Sequence, residues 1–207
     1  MLLRVVARKL VVLQSVAFIF NSKILYPEVK FYMSREKLWK EILDRHFTED
    51  WVGMEFGVAY GDASKIFSRI SNFKFCKNWF GFDTFYGLPE SWGDLPKGAF
   101  SSNGKPPELQ DGRFKWILGD VCETAIQIPD LNKENLPLFI IFDLDLYLPT
   151  KSAVDRLIKV LKPGDVVYFD EAYFVDEARV ISEIIGNNSL NFKCLGYTSM
   201  ALALIVI

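Results

Sequence analysis

The chain has 207 residues, half of them hydrophobic and 15% aromatic, with a net charge of -2. That suffices for one domain with a sizeable core, is too apolar for a disordered chain, and lacks the concentrated basic surface that a nucleic-acid partner needs. The three cysteines, Cys76, Cys122 and Cys194, make neither a disulfide framework nor a zinc pattern, and they suit a reducing, cytoplasmic setting.

At the N-terminus, Arg4, Arg8 and Lys9 precede an apolar run from Leu10 to Phe20. The run is shorter than the roughly 20 apolar residues that span a bilayer, and no small-residue cleavage pattern follows it directly. A docked amphipathic helix is the favoured reading, ahead of a membrane-surface or partner-binding helix and of a targeting segment. Residues 34–47, SREKLWKEILDRHF, predict a helix with Ser34 as N-cap and Leu38, Ile42 and Leu43 as its apolar stripe. His46, the only histidine, reads as structural or solvated. Residues 1–47 are therefore expected to form a helical segment packed on a domain that spans 48–207.

From Trp51 the pattern alternates. Strands are predicted over 51–57, 78–83, 114–120, 138–145 and 165–171, and helices over 62–71, 150–161 and 175–185. The last two strands, 191–197 and 200–207, follow each other closely enough to form an antiparallel hairpin. Apolar runs too continuous for one-sided sheets, alternating with helices, predict an α/β domain with a mainly parallel sheet and helices on both faces.

Open parallel sheets bind ligands outside the carboxyl ends of their strands. The first strand ends in Glu55-Phe56-Gly57-Val58-Ala59-Tyr60-Gly61, ahead of a helix containing Ser64. Its glycines allow a tight turn and close backbone approach, although a plain strand-to-helix turn reads equally well. Asp83 ends the second strand, where an acid can accept both hydroxyls of a ribose or simply serve a turn. The third strand ends in Gly119-Asp120-Val121, with an acid placed to reach an adenine amino group, the fourth in Asp143-Leu144-Asp145, and the fifth in Asp170-Glu171. Every parallel-type strand thus ends in an acid, and the set says more than any member. Asp143, Asp170 and Glu171 read as oxygen ligands for a shared hard cation such as Mg²⁺, with no His/Cys set for zinc. Asp143 and Asp145, alternate residues of an extended segment, are expected to face one site.

With these residues in view, the chain resembles the class I S-adenosylmethionine-dependent methyltransferases, and more narrowly the macrocin O-methyltransferase family. The motifs that carry the likeness are EFGVAYG, GFDTFYGLPE, and FDLDLYLPT followed by LKPGDVVYFDE, within residues 50–175. The resemblance implies a Rossmann-like fold with a seven-stranded sheet. It implies that Glu55, Gly57 and Gly61 shape the methionine end of an S-adenosylmethionine pocket, with Tyr60, Ser64 and Val121 beside the cofactor. Asp83 would hold the ribose, and Phe85 and Asp120 would lie near the adenine. Asp143, Asp170 and Glu171 would hold the metal, leaving Asp145 as general base. The family commonly has two aspartates where this chain has Asp170-Glu171. Trp92, Phe100 and Trp116 are candidates for an acceptor pocket, set against the commoner core role of aromatics.

The expected activity is Mg²⁺-assisted methyl transfer to a hydroxyl of a small, sugar-like acceptor. A non-catalytic cofactor-binding module of the same fold is the alternative. A nicotinamide oxidoreductase is disfavoured by the missing G-x-G-x-x-G. Membrane contact through residues 1–20 is not favoured, and a homo-oligomer is left open.

Overall fold

A strand buried along its whole length needs cover on both faces, and Trp51–Phe56 (β1) is such a strand. It stands in a seven-stranded sheet between Cys76–Asp83 (β2) and Leu138–Phe142 (β4), with Phe114–Leu118 (β3) outside β2 and Val166–Phe169 (β5) outside β4. These five strands run parallel. Phe192–Tyr197 (β6) and Leu202–Val206 (β7) form the expected antiparallel pair, with β7 against β5, so the strand order is β3-β2-β1-β4-β5-β7-β6. The computed structural model describes residues 29–186 and 190–207, together with Leu10, Leu13 and Ala17. Apart from those three, residues 1–20 and the helix expected there lie outside the described residues.

Arg35–His46 (α1) begins where its sequence says it should: the Ser34 hydroxyl accepts the N–H of Lys37 at 3.4 Å. Its stripe of Leu38, Trp39, Ile42 and Leu43 is buried. Together with Asp62–Phe67 (α2) it covers one face of the sheet, the Trp39 ring meeting Phe67 at 4.7 Å and Tyr168 at 5.2 Å. The other face is covered by Val121–Thr124 (α3), Ile128–Leu131 (α4), Tyr147–Leu157 (α5) and Val175–Gly186 (α6). Among the described residues no helix is long and apolar enough to cross a membrane.

Two local differences from the sequence reading have simple causes. The helix expected over 62–71 stops at Phe67, where the Ser68 hydroxyl bonds back to the Lys65 carbonyl and tight turns follow. The stretch between β3 and β4, in which no element was expected, forms short helical turns. Asp120 caps the first by accepting the Cys122 N–H at 2.8 Å, and Pro129 interrupts the apolar period that would have announced a longer helix.

A row of stacked phenylalanines runs beneath the carboxyl ends of the central strands. Phe56 lies 4.5 Å from Phe82 and 5.2 Å from Phe142, which lies 5.0 Å from Phe169. Because side chains alternate along a strand, the residues that follow them, Asp83, Asp143 and Asp170, project toward the opposite side, that of α1 and α2.

Candidate functional site

The strand order reverses between β1 and β4, where a crevice is expected in any open α/β sheet. A cavity of about 410 Å³ opens there, a size suited to a small ligand. Glu55, Gly57 and Tyr60 line it from β1 and its loop, Asp83 ends β2, and Asp120 and Val121 follow β3. Asp143 and Asp145 line it after β4, and Asp170 and Glu171 after β5. Leu88, Trp92 and Phe100, from the long loop between β2 and β3, complete the wall. Three residues expected beside the cofactor lie off this wall. Ser64 and Phe85 have no exposed surface, and Gly61 starts α2 facing Pro107. Trp116 is also off the wall, stacked on Phe114.

The loop after β1 is held by its glycines and by Asp83. Gly57 has φ 86°, and a β-carbon there would stand 1.8 Å from the Asp143 carbonyl oxygen, so only glycine fits. One Asp83 oxygen accepts the N–H groups of Val58 and Ala59, each at 2.8 Å, and the other accepts that of Phe85 at 2.7 Å. Asp83 therefore ties the loops after β1 and β2 together. A carboxylate offers about four acceptor directions, so one remains for a ligand hydroxyl. The turn reading of this aspartate therefore holds, and the ribose reading is left with one hydroxyl instead of both.

Glu55 is 1% exposed and accepts hydrogen bonds from the Trp79 indole N–H, at 2.9 Å, and from the Ser64 hydroxyl. Burial pushes its carboxyl up to about 7, with the two donors pulling the other way.

The acids after β4 and β5 divide differently from the sequence expectation. Carboxylate oxygens of Asp143, Asp145 and Glu171 lie within 4.8 Å of one another. Asp145 reaches the group because it sits at φ 63° in a tight turn, closed by the Leu146 N–H on the Leu144 carbonyl at 2.7 Å, and not because of strand alternation. Asp170, expected among the metal ligands, has both oxygens engaged elsewhere. The Tyr168 hydroxyl donates to one at 2.7 Å and the Arg35 guanidinium to the other at 2.9 Å.

The cluster is short of positive charge. Asp143 is raised well above the usual carboxylate range by burial and then by Asp170 and Asp145. Burial, then Asp170, raises Asp145 to about 6, and burial, then Asp143, raises Glu171 to about 10. One oxygen of Glu171, a residue 7% exposed, is buried without a hydrogen-bond partner. Buried oxygens left that way are expensive. Three converging carboxylates with an orphaned oxygen fit the oxygen-donor chemistry that a hard divalent cation requires.

Two further residues belong to this region. Glu177 is fully buried, accepts the Glu171 N–H at 3.0 Å and leaves its other oxygen unpartnered. Its signal was an acid on the buried stripe of α6, with Ala178, Ile181 and Ile184. Arg35 pairs with Asp170 and stands 3.7 Å from Asp143. Its signal was a cation at a helix N-terminus, where the helix dipole disfavours one.

No family model and no curated protein matches the sequence. Solved structures do match over most of its length. CalS11, the calicheamicin methyltransferase, has a TM-score of 0.62 at 21% identity, covering 95% of this chain and 91% of its own. Its apo structure, as TDP-rhamnose 3'-O-methyltransferase, gives 0.56 at 21%, covering 95% and 93%. The O-methyltransferase NovP gives 0.61 at 16%, covering 82% and 79%. The methyltransferase MycE, in complex with Mg and SAH, gives 0.50 at 12%, covering 83% of this chain and 48% of its own. The likeness is one of fold, a Rossmann-like α/β sheet, which in this chain ends in an antiparallel pair.

Proposed function

We propose that the chain is an S-adenosylmethionine-dependent O-methyltransferase that acts on a hydroxyl of a small molecule, with sugar-like acceptors the first class to test. The observation that carries this reading is the meeting, in one cavity, of the glycine-turned loop after β1 and the three converging carboxylates after β4 and β5. The neighbours of like fold, among them a TDP-rhamnose 3'-O-methyltransferase and the O-methyltransferase NovP, support it.

S-adenosylmethionine would lie along the ends of β1, β2 and β3. Gly57 lets the loop pack on the Asp143 backbone, Asp83 would offer its remaining acceptor direction to a ribose hydroxyl, and Asp120 and Val121 would bound the adenine end. Bound there, the sulfonium supplies an electrophilic methyl group. The protein must add an acceptor oxygen that can give up its proton.

A divalent cation, Mg²⁺ first among candidates, would be held by Asp145 and Glu171 with Asp143 beside them. It supplies charge that polarises an acceptor hydroxyl. The exposures favour a division of labour opposite to the one expected from sequence. Asp145 and Glu171 are buried and suit ligand roles, whereas Asp143 is half-buried and its backbone packs on Gly57 of the cofactor loop. Asp143 is thus the carboxylate that can touch both the acceptor and the cofactor side. As the acceptor oxygen bonds to the methyl carbon and the sulfur keeps the electron pair of the broken bond, the hydroxyl proton passes to Asp143. Trp92 and Phe100 would form the apolar side of the acceptor seat.

Transfer of labelled methyl from S-adenosylmethionine to a panel of sugars and glycosides tests the reading. Product is expected with the wild type, and a loss of roughly 10²–10⁴-fold with Asp143→Asn. Methylation of nitrogen acceptors alone would overturn O-methyl transfer, and equal rates for both chains would remove Asp143 as base.

A further inference from the structure

We propose that Arg35 is a positioning residue: a built-in cation that keeps Asp170 for itself, leaves the divalent cation to Asp145 and Glu171 with Asp143 beside them, and holds the affinity for that cation down. The inference rests on the cation site of the proposed function and deepens it.

Both oxygens of Asp170 are occupied, by Arg35 at 2.9 Å and by the Tyr168 hydroxyl at 2.7 Å. An aspartate so engaged has to break an ion pair before it can ligate anything. Arg35 is fixed from behind as well as in front. Its guanidinium lies 5.2 Å from the ring of Trp39, which is fully buried, and it leaves the first turn of α1, where the helix dipole opposes a positive charge. A cation kept in that position needs a specific partner, and the acids provide it. The same guanidinium is 3.7 Å from Asp143, so its charge lies close enough to oppose a second cation in the cluster.

The cluster nevertheless retains room for one. The buried, unpartnered oxygen of Glu171 is not reached by Arg35, and the oxygens of Asp143, Asp145 and Glu171 converge without Asp170. Arg35 satisfies one side of the acidic rim, and the side toward Glu171 is left for the metal.

Calorimetric titration of the full chain with Mg²⁺ at saturating S-adenosylhomocysteine tests this. Arg35→Gln is expected to bind Mg²⁺ about tenfold more tightly than wild type, within the usual span of site–site coupling. Asp170→Asn is expected to stay within about twofold of wild type, because Asp170 is not a ligand while Arg35 holds it. Combining the two substitutions should remove the part of the gain that comes from freeing Asp170 and keep the part that comes from losing the Arg35 charge. A merely structural role for Arg35 would not tighten metal binding. Unchanged or weaker binding in Arg35→Gln overturns the proposal. So does a loss of tenfold or more in Asp170→Asn, which decides the matter even if Arg35→Gln fails to fold. If no chain binds Mg²⁺, the cation site and this proposal fall together, while S-adenosylhomocysteine binding in the same samples leaves the cofactor reading standing.

Discussion

The carbonyl oxygen of Asp143 lies 1.8 Å from the point a β-carbon on Gly57 would occupy, and the Asp143 N–H donates to the Phe56 carbonyl at 2.9 Å. The loop after β1 and the acid after β4 are therefore packed backbone to backbone, with no side chain between them. Gly57→Ala introduces both a clash and a strained φ. It should lower stability by about 2–4 kcal/mol in urea unfolding and displace Asp143 from the cofactor side. An alanine variant as stable as wild type would show that the two segments are not in contact.

Glu55 gives a pH dependence whose sign is fixed. Its carboxyl is raised to about 7 in the folded chain from an ordinary 4.5, so the folded state keeps a proton that the unfolded state has released. The resulting stability is full below about 4.5 and lost as pH rises through about 7. Glu55→Gln keeps the shape and can still accept from Trp79 and Ser64, but it does not titrate. Its stability should change less with pH across that window, and above it the variant should be more stable than wild type by roughly 1–3 kcal/mol. Parallel stability profiles for the two chains would contradict the buried, protonated carboxyl.

Asp83→Ala leaves the N–H groups of Val58, Ala59 and Phe85 without their acceptor. A cost of roughly 2–4 kcal/mol is expected, together with at least about tenfold weaker S-adenosylhomocysteine binding, since the loop and the ribose acceptor are lost at once. Full cofactor affinity in this variant would leave Asp83 as a turn residue only.

The division among the acids is open to a direct comparison by Mg²⁺ titration. Asp145→Asn and Glu171→Gln should each weaken binding by roughly 10–100-fold, at least as much as losing an outer-shell partner. Asp143→Asn should bind Mg²⁺ within a few-fold of wild type and fail in turnover. The reverse pattern at Asp143 and Asp145 would restore the roles expected from sequence.

Much of this architecture was legible in the chain. The central strands announce themselves as unbroken apolar runs because both faces of the sheet are covered, and the acid that ends each parallel strand marks the rim where a ligand belongs. What could not be read is how those acids share the rim. Asp145 turns into the cluster through a left-handed turn that alternation does not foretell. Asp170 is claimed by an arginine 135 residues earlier in the chain, a pairing made by the packing of α1 and invisible to any local pattern. Glu177 stood in plain sight as an acid on an apolar helical stripe. Asp83 was ambiguous for a physical reason: a carboxylate has enough acceptor directions to brace a loop and still meet a ligand.

Isothermal calorimetry of the full chain with S-adenosylhomocysteine, with and without Mg²⁺, tests the proposed cofactor site most directly. One site per chain is expected, with an affinity of order micromolar, about -8 kcal/mol, and separate Mg²⁺ binding that Glu171→Gln weakens. No detectable S-adenosylhomocysteine binding under either condition would contradict it.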